Sequence, residues 1–317
     1  MKAVVQNDYG SPAVLEVVEI TEPALKENEV RIRVRAASLN AGDVFAMRGR
    51  PWPIRLSAGF PKPKNYILGW DMAGVVEAIG RQVTRFKLGD EVFGAGKSAL
   101  AEYVHFTEDQ LALKPANLTF EQAAAVPTAA VTALRGLRDV GKIQPGYKVL
   151  INGASGGVGT FAVQLATALG AQVTGVCSPR NAELVRSMGA DHVIDYTRED
   201  FTRNGQRYDL ILDNVASRSF ADLRHALTPQ GKVVPNSGHA GMGYVFKAYL
   251  LSAINRQHAS MYLAVPNSQT LTTLKDLIEA GQVTPVMDKT YPLSETRAAF
   301  QYLVEEHARG KVVITVA

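Results

Sequence analysis

The ten residues INGASGGVGT, 151–160, carry four glycines between an apolar run and a helical pattern. Such backbone freedom at a strand-to-helix junction lets a ligand approach the main chain closely. A phosphate suits it, because the amides and the positive end of the following helix face an anion. On the spacing G-x-G-x-x-G the fingerprint falls on Ala154, Gly156 and Gly159, with alanine in the first place. Gly156 would bring the backbone to a pyrophosphate, and Gly159 would let the helix pack on the sheet. The plainer alternative is a tight β-to-α turn with no ligand. The context favours the ligand: a strand precedes (YKVLING, 147–153), a helix follows (158–170), and a second strand, AQVTGVCS, comes within about 30 residues.

The end of that second strand bears on which dinucleotide fits. An NAD site places Asp or Glu there for the ribose 2′-hydroxyl. The chain reads GVCSPRN over 175–181 and offers Ser178, Arg180 and Asn181 instead. A hydroxyl and a guanidinium suit a 2′-phosphate, which a carboxylate would repel. Ser178 also reads as an N-cap with Pro179 in the first helical position. Both readings are compatible, and NADP(H) is the expected cofactor.

Outward from this turn, residues 120–266 alternate strands and helices, as a parallel sheet with right-handed crossovers does. HVIDY, YDLILDN, GKVVPNS and finally MYLAVP read as further strands, and AAAVPTAAVTAL (123–134) as a buried helix. Residues 1–120 instead show short strand signals separated by turns. EVRIRVRA alternates as a half-buried antiparallel strand. Phe45–Gly69, interrupted by prolines, reads as an extended loop. After residue 267 come a helix, strand signals, another helix and a closing strand, GKVVITVA, expected to return to the first domain. The expected fold is α/β, with a doubly wound parallel sheet over 123–266 inserted in a mostly-β domain of 1–122 plus 267–317.

Composition narrows the function. The 317 residues are 46% hydrophobic and 20% charged, an ordinary globular balance. Lys and Arg total 34 against 30 Asp and Glu, and no basic stripe marks a nucleic-acid footprint. The single cysteine, Cys177, excludes an intramolecular disulfide and a multi-cysteine zinc site. No run approaches 18 apolar residues, and MKAVVQNDYG lacks a signal-peptide core. A soluble cytoplasmic protein of a reducing compartment, binding neither membrane nor nucleic acid, is expected.

Several ordered motifs together resemble the medium-chain dehydrogenase/reductase superfamily, and within it the zinc-free quinone oxidoreductase branch. They are MKAVV, RVRAASLNAGD (33–43), GWDMAGVVEAIG (69–80), FKLGDEVFG (86–94), VPTAAVTAL (126–134), NGASGGVG (152–159), LVRSMGADHVIDY (184–196) and HARGKVVITV (307–316). The resemblance implies a GroES-like catalytic domain holding an inserted Rossmann domain. Zinc-dependent members carry a Cys after the third strand and a His in Gly-His-Glu. Here the matching stretches read AASLNAGD and Gly69-Trp70-Asp71, so zinc alcohol oxidation is excluded and no metal is expected.

Position by position, the resemblance implies Ser155, Gly156, Gly157 and Val158 on the pyrophosphate, and Ser178, Arg180 and Tyr196 at the adenosine phosphate. It sets Asn214, Val215, Ser237, Gly238, Thr128 and Thr132 along the nicotinamide half, with Lys311 closing over the cofactor. Lys311 also reads as a surface residue, Tyr196 as a half-buried strand end, and the two threonines as bonding back to helix carbonyls. Asn40 is placed beside the substrate, where its amide could hold a carbonyl oxygen; a loop residue bonding its own backbone is the alternative. Phe45, Trp52 and Tyr244 are candidate pocket walls or core aromatics. The implied activity is hydride transfer from NADPH to a quinone or α,β-unsaturated carbonyl, by a homodimer joined around MYLAVP. The alternatives are a non-catalytic NADPH-binding structural protein and a 2-enoyl-thioester reductase. The loop FAMRGRPWPIRL lacks the tyrosine proton donor of the latter.

Overall fold

The computed structural model describes residues 1–64, 67–236, 250, 253, 257, 262–306 and 308–316. Two compact units emerge, Met1–Val131 with Val265–Gly281 and Pro285–Ala317, and Thr132–Ala264 with Gln282–Thr284. The division falls at Val131/Thr132, where the sequence reading set it before residue 123.

The first unit is built on strands β1 (Lys2–Gln6), β2 (Leu15–Glu19), β3 (Glu29–Leu39), β4 (Asp71–Ile79), β5 (Glu91–Ala95), β6 (Tyr103–Thr107) and β7 (Leu111–Leu113). The second holds β8 (Lys148–Asn152), β9 (Gln172–Cys177), β10 (His192–Asp195), β11 (Tyr208–Asp213) and β12 (Leu227–Pro235). The chain then returns to the first unit for β13 (Met287–Pro292) and β14 (Lys311–Thr315).

In the first unit β1 and β2 form a hairpin, and the larger sheet runs β13-β14-β3-β4-β5-β7, with β6 also paired to β3. β14 lies antiparallel to β3 with Val312 opposite Leu39, so the closing strand does return to the first domain. Val30, Ile32 and Val34 of β3 are buried while the arginines between them reach outward, as the alternation predicts. From Ala36 onward every residue of β3 is buried, because β14 pairs there and helix α3 (Phe120–Ala124) packs on β3 and β4.

Phe45–Gly69 departs from the expected extended loop. Helix α1 occupies Ala41–Arg48 and a short α2 occupies Ile54–Ala58. Asn40 stands at the N-cap of α1 with Asp43 at the third position, and Gly49 closes the helix in the left-handed region (φ 57°). Pro51 and Pro53 precede α2, where a missing N–H breaks no helical bond. AAAVPTAAVTAL likewise spans two helices, because Pro127 starts α4 (Pro127–Leu134) where its missing N–H costs nothing.

The sheet of the second unit is parallel throughout, ordered β10-β9-β8-β11-β12, a doubly wound arrangement. Helix α5 (Gly157–Ala168) follows β8 and is buried from Gly159 to Ala166, which accounts for its apolar sequence. MYLAVP is not a strand over its described part: Tyr262–Pro266 is irregular. The Tyr262 hydroxyl donates to Thr132 O at 2.8 Å, so the aromatic that suggested a strand instead anchors a loop.

Gly159 shows why the turn before α5 needs glycine. A Cβ there would stand 2.0 Å from Gly153 O and 2.8 Å from Ala154. Gly159→Ala must push α5 off the turn that follows β8, and we expect a loss of about 1–3 kcal/mol, measurable by urea denaturation.

Candidate functional site

Within the second unit, the sequence-predicted residues collect along the carboxyl ends of adjacent parallel strands. Ser155 and Gly156 follow β8, Ser178 and Arg180 follow β9, Tyr196 follows β10, and Asn214 and Val215 follow β11. In open α/β sheets this edge is where ligands bind. The turn after β8 is shaped by its backbone. Gly153 takes a positive φ of 78°, and Ala154 N donates to Val176 O at 3.0 Å. Gly156 is the N-cap of α5, so no side chain caps the first amides of that helix.

A dinucleotide phosphate fits here on two observations. A Cβ added to Gly156 would meet only Gly153 O, at 3.6 Å, so the space beside it is open. Asn181, 4% exposed, donates from Nδ2 to Ser155 Oγ at 2.9 Å, yet its buried Oδ1 has no protein partner. Ser178 precedes a short 3-10 turn, Pro179–Asn181, and its side chain makes no capping bond. Arg180 and Tyr196 are exposed. Asp195, which ends β10 on this edge, accepts from Thr197 N at 2.9 Å and Thr197 Oγ1 at 2.7 Å, which hold its carboxyl below the ordinary range. Asn214 donates to Asn152 O at 3.1 Å, and the Asn152 amide in turn donates to Asp213 Oδ1 at 2.8 Å.

In the first unit the structure builds a second polar centre, around Asn40. Asp71, fully buried, opens β4. Its carboxylate accepts from Thr128 Oγ1 at 2.5 Å, from Thr128 N at 3.2 Å and from Asn40 Nδ2 at 2.9 Å. Lys311, 2% exposed at the start of β14, places Nζ 3.6 Å from Asp71 Oδ2 and 3.0 Å from Leu39 O, and also donates to Asn40 Oδ1. Asp43 accepts from Asn40 N at 2.8 Å through Oδ2 and leaves Oδ1 buried without a partner. Burial drives the Asp43 pKa up to about 7, with the charge of Asp71 adding to the rise. Burial lowers the pKa of Lys311, against the pull of Asp71 and Asp43.

Lys311 therefore differs from both sequence readings. It is neither exposed nor free to close over a cofactor, because its ammonium is turned into the unit and neutralises a buried acid. The Thr128 hydroxyl donates to the same acid. Thr132, four residues on, falls in the second unit. Phe45 is half-buried and Trp52 is 56% exposed, so Trp52 is not a core aromatic. Ser237, Gly238 and Tyr244 lie outside the described residues. Asp71 and Asp43 were not singled out from the sequence, although signals for both exist. Asp43 completes an Asn-x-x-Asp helix start, and Asp71 is an acid heading the apolar run MAGVV of β4. Among the described residues no group of three His, Cys, Asp or Glu is arranged to hold a metal.

The alcohol dehydrogenase GroES-like domain family matches residues 26–135, and the zinc-binding dehydrogenase family matches 188–314. A chloroplast envelope quinone oxidoreductase homolog of Arabidopsis thaliana is 32% identical, over 99% of this chain and 98% of its own length. A chloroplastic NADPH-dependent alkenal/one oxidoreductase of the same plant is 34% identical, over 99% of this chain and 79% of its own. The structure of Escherichia coli quinone oxidoreductase complexed with NADPH superposes with a TM-score of 0.85 at 26% identity, covering 99% of this chain and 100% of that one. The chain belongs to the medium-chain dehydrogenase/reductase superfamily, in its quinone oxidoreductase branch.

The raised pKa of Asp43 has a testable sign. Above its ordinary value of 3.8 the unfolded chain gives up this proton, while the folded protein keeps it until about pH 7. This group's stabilising contribution is therefore full at low pH and fades as pH rises through that window. Asp43→Asn keeps an acceptor for Asn40 N but does not titrate. Its stability relative to wild type should rise with pH across the window, by an amount on the order of 1 kcal/mol or more. Urea denaturation of both proteins at paired pH values measures it.

Proposed function

We propose that this protein reduces quinones or α,β-unsaturated carbonyls with NADPH, without a metal. The observation that carries this reading is the carboxyl edge of the parallel sheet. Its glycine turn leaves open space at Gly156, and the end of β9 presents Ser178 and Arg180 where an NAD site needs a carboxylate. The names of the relatives, a quinone oxidoreductase homolog and an NADPH-dependent alkenal/one oxidoreductase, agree with it.

The residues then divide the work. The uncapped first amides of α5, with Ser155, Gly156, Gly157 and Val158, hold the pyrophosphate against the positive end of the helix. Asn181 steadies Ser155 and directs its own unpaired Oδ1 toward a ligand donor or water. Ser178, Arg180 and Tyr196 receive the adenosine 2′-phosphate, a dianion that the guanidinium binds well. Asn214, Val215, Ser237 and Gly238 are assigned to the nicotinamide half with Thr128 and Thr132. Bound NADPH supplies the hydride. A quinone or enone needs no Lewis acid, because its conjugation already makes the accepting carbon or oxygen electrophilic. The Asn40 amide is assigned to the substrate oxygen, which gathers negative charge as hydride adds. Phe45, Trp52 and Tyr244 are assigned as apolar walls for the acceptor. A homodimer and a cytoplasmic location complete the proposal, on the family resemblance and the composition of the chain.

The test is NADPH consumption by the purified protein, with NADH alongside and chelator present. The acceptors are benzoquinone, phenanthrenequinone, a short enone and an enal. Turnover favouring NADPH and indifferent to chelator is expected. Arg180→Ala should raise the KM for NADPH by about tenfold while leaving that for NADH nearly unchanged. NADPH binding without turnover on any acceptor would refute the reductase reading, and equal use of NADH would refute the assignment of Ser178 and Arg180.

A further inference from the structure

We propose that Lys311 and Asp71 are positioning residues that lock the orientation of the Asn40 side-chain amide, so that Asn40 meets the substrate as an N–H donor. The proposal rests on the quinone and enone reading above, and it names what the site selects: an acceptor whose reducible group carries an oxygen able to accept a hydrogen bond.

A side-chain amide has two ends of nearly equal shape and opposite hydrogen-bonding sense. Which end faces which way is decided by its partners. Here the partners are the two members of an ion pair, of opposite sign. Lys311 Nζ donates to Asn40 Oδ1, and Asn40 Nδ2 donates to Asp71 Oδ2 at 2.9 Å. A half-turn of the amide would set its NH2 group against the ammonium and its carbonyl against the carboxylate. Both charged groups are buried, at 2% and 0% exposure, so water screens neither repulsion.

The clamp is itself held on every side. Asp71 is fixed by the Thr128 backbone N–H and hydroxyl. Lys311 is fixed by Leu39 O and by the pairing of Val312 with Leu39. The Asn40 backbone sits at the N-cap of α1, with its N–H on Asp43 Oδ2. Asn40 itself is half-buried while Asp71, Lys311 and Asp43 are buried. An NH2 group has two hydrogens, and Asp71 takes one. The other is available to a ligand on the less buried side, and a donor there opposes the negative charge that collects on a carbonyl or quinone oxygen. A residue equally free to present its carbonyl would offer no such preference.

A double-mutant cycle tests the assignment. Asn40→Ala and Lys311→Met should each lower kcat/KM for the acceptor by about tenfold, with the KM for NADPH little changed. If Lys311 acts through Asn40, the double variant should be no worse than Asn40→Ala alone. Losses that multiply would overturn the proposal. A second readout needs no turnover: the side-chain amide resonance of Asn40 in nitrogen-labelled protein, identified by its loss in Asn40→Ala. It should exchange slowly with solvent in the wild type and faster in Lys311→Met, and Asp71→Asn serves where that variant does not fold. An unchanged exchange rate would overturn the clamp. A wild type that turns over no quinone or enone, but whose Asn40 amide is protected and released as described, would refute the functional reading and leave the clamp standing.

Discussion

A carboxylate taken wholly out of water must be surrounded by donors, and the first unit of this protein is arranged to meet that demand at Asp71. The donors come from distant parts of the chain: Asn40 after β3, Thr128 on α4 and Lys311 at the start of β14. Losing Lys311 leaves the acid's charge uncompensated in a low-dielectric interior, a penalty of about 3–5 kcal/mol for a buried ion pair, whereas losing either neutral donor leaves the carboxylate one hydrogen bond short. The return of the chain to its first unit after residue 284 is therefore more than the addition of an edge strand. β14 delivers the cation that makes the buried acid tolerable.

In the second unit the corresponding constraint is steric. At Gly159 the place of a Cβ is taken by Gly153 O and Ala154 of the turn that precedes it, whereas Gly156 faces open space. One glycine exists so that helix and strand can touch, and the other leaves room at the helix start. The same motif thus serves packing and access through different atoms. The polar pair Asn152 and Asp213 ends β8 and β11 at matching register, which holds the loop carrying Asn214 and Val215.

The two stretches that by the family resemblance match zinc-ligand segments of metal-dependent relatives read AASLNAGD and Gly69-Trp70-Asp71 here, with no Cys in the first and no His in the second. Around Asn40 the protein has placed charges instead of ligands. An amide between a buried ammonium and a buried carboxylate is a neutral group with a fixed dipole, suited to an acceptor that needs orientation and not polarisation by a metal. The family match and the polar centre agree, although neither depends on the other.

Much of this was legible in the residues. Period-two alternation marked β3, and apolar runs alternating with helical segments marked the parallel sheet, because those patterns follow from local geometry and from one buried face or two. The missing carboxylate after β9 pointed to the cofactor for the same local reason. What local pattern could not decide lay where distant groups meet. Tyr262 leaves strand geometry because its hydroxyl finds the Thr132 carbonyl. Lys311 looks like a surface lysine in GKVVITVA until folding sets it against Asn40, 271 residues away in the chain, and Asp71. The sequence by itself determined the two architectures and the residue types along the carboxyl edge of the parallel sheet. Only the tertiary structure decided which charges are buried together, because burial is a property of everything packed around a residue and not of its neighbours in the chain.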